Sequence, residues 1–157
     1  MIIGNKETFA VELTIDENNP KMGYAKLWLQ NIFLGTNEDL IYLNGYLIYL
    51  IDELLNSKKI NLEVEKLTKI EIFNLLKSSL KKRSDYAIIG STFTDDFEIY
   101  SYSKNDDLFV LWKLNGHNDI IFSDLEKYGN EIQFACISQK EVEQIKEKTL
   151  EIIKLSI

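Results

Sequence analysis

The sequence predicts a single α+β domain over residues 1–157, a mainly antiparallel sheet of five or six strands with about three helices. Three observations predict it. Phe9, Val11, Leu13 and Ile15 alternate with Ala10, Glu12 and Thr14, the two-residue period of a strand with one buried face. Strand-like runs between residues 86 and 114 are joined by short turns. Two segments open with a hydroxyl residue followed three places on by Glu, Thr68 with Glu71 and Ser138 with Glu141, which is how a helix start is capped.

The elements follow in chain order. Asp16-Glu17-Asn18-Asn19-Pro20 is a turn cluster, so the first strand forms a hairpin with a second running from about Gly23 to Leu34. Thr36 with Asp39 resembles a helix N-cap arrangement. The apolar run Leu40 to Leu55 behind it is long enough for a helix despite Gly45, and its Ile and Tyr residues make a strand the competing reading of its first half. After Thr68 and Glu71, Ile70, Phe73, Leu76 and Leu80 recur at helical spacing. Lys77, Lys81, Lys82 and Arg83 crowd the end of that helix, where its dipole favours cations, so they read as a helix terminus rather than a phosphate site. Strands are expected over Tyr86 to Thr92, Phe97 to Ser101 and Leu108 to Leu114, the last two joined by the turn Lys104-Asn105-Asp106-Asp107. Asn115-Gly116-His117-Asn118-Asp119 is a further turn and Glu131 to Ile137 a last strand. Ser138 and Glu141 cap a final helix with Val142, Ile145 and Ile152 on its apolar stripe. Trp28 and Trp112, in strands beside aliphatic residues, are expected in the core.

Composition narrows the function classes. The net charge of −7 argues against unspecific nucleic-acid binding, which needs a basic face to displace phosphate counterions. It is compatible with a basic protein partner, because complementary fields speed association, but charge alone favours the plainer reading that acidity serves solubility. The single cysteine, Cys136, excludes an internal disulfide and a zinc cluster, and its apolar surroundings predict a buried, inert thiol. Lys6, Glu7 and Glu12 make the N-terminus unlike a signal peptide. Asn44, Gly45, Asp52 and Glu53 interrupt the longest apolar stretch, which is too polar to span a bilayer. The expectation is a cytoplasmic protein with no membrane and no nucleic-acid partner.

No residue set points to catalysis or a cofactor. His117, the only histidine, is flanked by Gly116 and Asn118 and reads as a turn residue. Asp95-Asp96, Asp106-Asp107 and Asp119 with Asp124 lack the ordered spacing of a calcium loop, and paired Asp residues are common turn formers. No glycine pattern of a nucleotide site appears. The feature that stands out is the strand beginning at Phe97. Phe97 and Ile99 share one face, and Glu98, Tyr100 and Tyr102 share the other. If the first pair faces the core, an acid and two tyrosines face solvent, the composition of an interface anchor. If a helix also covers the second face, the tyrosines are core.

Three places in the chain resemble the immunity protein 42 family of bacterial toxin-immunity proteins: Met1-Ile2-Ile3-Gly4-Asn5 leading to Phe9-Ala10-Val11, the strand ending Asn31-Ile32-Phe33-Leu34-Gly35, and Phe93 to Phe97 with Leu108 to Leu114. The resemblance implies a cytosolic, non-enzymatic protein of contact-dependent inhibition or another polymorphic toxin system. It would bind a cognate toxin C-terminal domain, often a nuclease, and neutralise it. The shared motifs would maintain the fold and the toxin would be read by side chains beside them. That makes Glu98, Tyr100, Tyr102, Asp106 and Asp107 interface candidates, with Asp95 and Asp96. A basic partner surface would suit these carboxylates. The competing classes are a small metal-assisted hydrolase using Asp and Glu, and a structural subunit of a cytosolic complex.

Overall fold

The computed structural model describes residues 1–79, 84–116 and 120–157. Among these, β1 (Ile2–Gly4), β2 (Phe9–Ile15), β3 (Met22–Leu29), β4 (Ile32–Leu34) and β5 (Ile41–Tyr42) form one antiparallel sheet in the order β1-β2-β3-β4, with β5 also alongside β3. The period-two pattern sets the register. Val11 lies opposite Leu27 and Leu13 opposite Ala25, and all four are fully buried. The second predicted strand is broken in two, because Gln30 and Asn31 both take positive φ (48° and 69°) and make a two-residue hairpin turn.

Thr36 does not start a helix. Its hydroxyl is committed to the Asp124 carboxylate (2.8 Å) and accepts from the Glu38 N–H (3.2 Å). The helix begins later, as a π-helical turn over Leu43–Ile48 that runs into α1 (Tyr49–Leu55). The competing strand reading of this segment survives only as the short β5. Gly45 has a packing role here: a Cβ on it would lie 2.6 Å from the ring of Tyr42.

α2 (Lys69–Lys77) opens on the Thr68–Glu71 capping box, with both reciprocal hydrogen bonds formed at 3.2 Å. Its buried stripe is Ile72, Phe73 and Leu76, whereas Ile70 is exposed. Segment 86–92 is not a full strand. It touches the next strand by one bridge, Ala87 to Tyr100, flanked by hydrogen bonds from Ile88 N–H to Ile99 and from Ser101 N–H to Tyr86. Gly90, at φ +64°, then turns the chain into a 3-10 turn over Thr92–Thr94. A Cβ at that glycine would sit 2.2 Å from Thr94 Oγ1.

β6 (Phe97–Lys104), β7 (Asp107–Leu114) and β8 (Gln133–Ser138) form a second antiparallel sheet in that order. Asn105 and Asp106 are its two-residue turn, again with φ positive at both (51° and 65°). The final helix, α3 (Gln139–Ser156), is capped by Ser138 accepting from the Glu141 N–H at 3.3 Å. Val142, Ile145, Thr149 and Ile153 form its buried stripe, and Ile152 is half-buried.

The class is thus α+β and antiparallel, with the strands divided between two sheets. The main core joins the inner face of the first sheet, the helix over 43–55, α3, and the face of the second sheet carrying Phe97, Ile99, Val110 and Trp112. A smaller core lies on the opposite face of the second sheet, beneath α2. Trp112 is core, as expected. Trp28 is not: it lies on the outer face of the first sheet, half-buried, with its Nε1 donating to Glu12 (2.7 Å) and Lys6 Nζ 3.9 Å above its ring. Cys136 is half-buried rather than enclosed, and burial followed by the Asp107 carboxylate pushes its thiol pKa up. The expectations for Leu80, Lys81, Lys82, Arg83, His117, Asn118 and Asp119 lie outside the described residues.

Candidate functional site

The alternation along β6 holds, but α2 covers the face that carries the tyrosines. Tyr100 meets Phe73 edge-on with ring centres 5.1 Å apart, and Tyr102 stacks on Phe109 at 4.8 Å. They are 7% and 2% exposed. The Tyr100 hydroxyl donates to Glu98 (2.7 Å), and the same carboxylate pairs with Lys77 of α2 (3.0 Å). Burial opposes ionisation of Glu98, yet these two partners hold its pKa below the ordinary value. Burial and the Glu98 carboxylate push the Tyr100 hydroxyl pKa well up, and burial brings Tyr102 to about 12. Tyr100 and Tyr102 are therefore core between the second sheet and α2 rather than exposed rings, and Glu98, half-buried at the edge, ties Lys77 of α2 to the sheet.

Asp106 and Asp107 sit at the β6–β7 turn. Asp106 is exposed, and its backbone carbonyl accepts from the Gln139 N–H at the start of α3 (3.0 Å). Asp107 lines a groove of about 400 Å³ with Val64, Leu67, Tyr102, Phe109 and Phe134. Charges of both signs border it, and Lys104 is already paired with Glu65.

Asp95 and Asp96 stand at the start of β6, in a different setting. Asp95 lines a groove of about 390 Å³ with Gly45, Tyr46, Tyr49, Gly90, Ser91 and Thr92. Partial burial, then repulsion from Asp96 and Asp39, raises the Asp95 carboxyl pKa. None of these three acids has an ion pair among the described residues. The wall of the groove is held by Glu53, which accepts from the N–H groups of Ile89 (2.9 Å) and Gly90 (3.1 Å).

The tyrosines on this side are the ones sequence reasoning missed. Tyr42, Tyr46 and Tyr49 are 43%, 39% and 55% exposed, while Leu43 and Leu47 between them and Leu50 and Ile51 just after are buried. The signal was present in the run Leu40 to Leu55: aliphatic residues recur at helical spacing, and the tyrosines fall at i, i+4 and i+7 on the other face. Among the described residues no three His, Cys, Asp or Glu side chains converge to hold a metal ion, and no helix is long and apolar enough to cross a membrane.

What this geometry offers is contact area and charge. Comparison with known proteins gives that observation a context. No curated protein matches the sequence. Among solved structures, the fold is similar to that in "Crystal structure of CdiI from Burkholderia dolosa AUO158", with a TM-score of 0.65 at 11% identity, covering 96% of this chain and 99% of that one. The family model for immunity protein 42 matches residues 1–152, nearly the whole chain. The protein belongs to the immunity protein 42 family.

Proposed function

We propose that this protein is the antidote of a contact-dependent inhibition or related polymorphic toxin system. It binds the cognate toxin C-terminal domain in the cytoplasm and neutralises it by occupancy rather than by chemistry. The observation that carries this reading is the family match over residues 1–152. The likeness to the structure named CdiI supports it at the level of the fold. The net charge of −7 supports a toxin domain that presents Lys and Arg, as a nuclease must to hold phosphates. Asp95, Asp96, Asp106 and Asp107 are the predicted site acids whose side chains take no part in fastening α2 to the sheet, and they contribute to that complementarity.

The test is expression of a cognate toxin domain, with and without this protein, in a host that lacks the system. Growth should be arrested by the toxin domain alone and restored by co-expression, and the two proteins should purify together. Continued arrest with the protein present and folded would remove the reading.

A further inference from the structure

Resting on the toxin-binding reading above, we propose that the ridge of Tyr42, Tyr46 and Tyr49, flanked by Asp39, Asp95 and Asp96, is the surface that docks the toxin domain. Its occupant is a protein face carrying Lys or Arg. These are the three exposed tyrosines among the chain's eight: Tyr46 and Tyr49 fall on adjacent turns of the helical segment, and Tyr42, the last residue of β5, stands at its start with Leu40 also exposed two residues earlier. An isolated exposed ring needs no explanation, but a contiguous row of them on a small domain marks an interaction surface.

Preorganisation is the second step. Tyr46 and Tyr49 lie on a helix whose opposite side is anchored by fully buried Leu43, Leu47, Leu50 and Ile51, and Tyr42 is held by the pairing of β5 with β3. Gly45 leaves room for the Tyr42 ring to lie against the backbone. Rigid rings on a fixed helix lose little conformational freedom on binding. The π-helical turn that carries two of the buried leucines is also a rare geometry, one found often at functional sites.

Charge then selects the partner. Asp39, Asp95 and Asp96 lie close enough that the first and last disfavour ionisation of Asp95, and no cation among the described residues pairs with any of the three. A Lys or Arg from a partner would relieve that repulsion, and a guanidinium can also lie on a tyrosine face. The Phe109–Phe134 groove offers no such selection, because Lys104, Glu65 and Asp107 all border it.

The experiment measures binding of an inactivated cognate toxin domain to this protein. Tyr46→Ala and Tyr49→Ala should each raise Kd by roughly 30-fold, the loss of one desolvated aromatic anchor. Asp95→Asn with Asp96→Asn should slow association more than Asp106→Asn with Asp107→Asn does, since the second pair lies away from the ridge. All variants should keep the wild-type melting temperature. Amide exchange supplies a readout independent of any substitution: complex formation should protect residues 39–49 and 90–96. A wild-type complex that tolerates both tyrosine changes, or that protects only other segments, overturns the ridge and leaves toxin binding standing. A wild-type chain that forms no complex removes both readings. A free-protein dimer dissolved by Tyr49→Ala makes a second copy the occupant and overturns the choice of partner.

Discussion

Lys26 points to the outer face of the first sheet, yet it is only 7% exposed. Its ammonium lies 2.9 Å from Asp124 Oδ2 and 4.0 Å above the ring of Phe33. Asp124 also accepts from the Thr36 hydroxyl and the Asn37 N–H, and its own N–H donates to Glu38. One ion pair thus ties the 3-10 turn Ser123–Leu125 to the sheet. Lys26→Met should cost about 3 kcal/mol in chemical denaturation, because it strands a largely buried carboxylate. Burial alone would raise the Asp124 pKa, but Lys26 and the hydrogen bonds carry it below its ordinary value of 3.8. A pKa lower in the folded than in the unfolded state stabilises fully above the unfolded value and loses its effect as pH falls through the folded one. The wild type should therefore lose stability below about pH 4, and Asp124→Asn should flatten that part of its stability–pH curve. None of this pairing was legible in the sequence, since the partners are distant along the chain and meet only through the fold. The tyrosines of β6 were half legible. Alternation gave their face, but the cover was signalled on the neighbouring strand, where Leu108 to Leu114 is nearly all apolar, the pattern of a strand buried on both sides.

The helices carry two predictions at the scale of elements. Thr68→Ala removes the capping bond of α2 and should destabilise by about 1 kcal/mol. Because α2 roofs Tyr100 and Tyr102, amide exchange in α2 and quenching of those tyrosines should rise together in that variant. Ile145 of α3 is 5% exposed within the main core, so Ile145→Asp should abolish the cooperative melting transition by burying an unpaired charge. Ile152→Asp should be milder, since its side chain is half-buried. Both helix starts were legible because an N-cap is local chemistry, a hydroxyl accepting from an N–H within one turn, completed at α2 by the returning Glu71 carboxylate. The start of the helix before α1 was not. Thr36 has the right composition for a cap, but a tertiary partner, Asp124, claims its hydroxyl. The break at Gln30 and Asn31 was equally hidden, because no glycine marks that turn and the residues on both sides pair as strands.

At the scale of the whole molecule, the described residues build two sheets and three α-helices that present charge and exposed rings at the surface. The antiparallel α+β class followed from pattern, while the division into two sheets depended on which strands share an edge, something periodicity does not encode. A net charge of −7 on such a body should steer a basic partner. Raising ionic strength from about 0.05 to about 0.5 M should slow association by roughly tenfold and change dissociation far less. Neutralisation by occupancy has a stoichiometric signature that a titration reads. The purified toxin domain is assayed at a fixed concentration well above Kd while this protein is added in steps. The account predicts a linear fall in toxin activity that ends sharply at a fixed molar ratio, with toxin of unchanged mass recovered when the complex is dissociated. Full inactivation by a small fraction of an equivalent, or toxin recovered with altered mass, would contradict it and point to an enzyme.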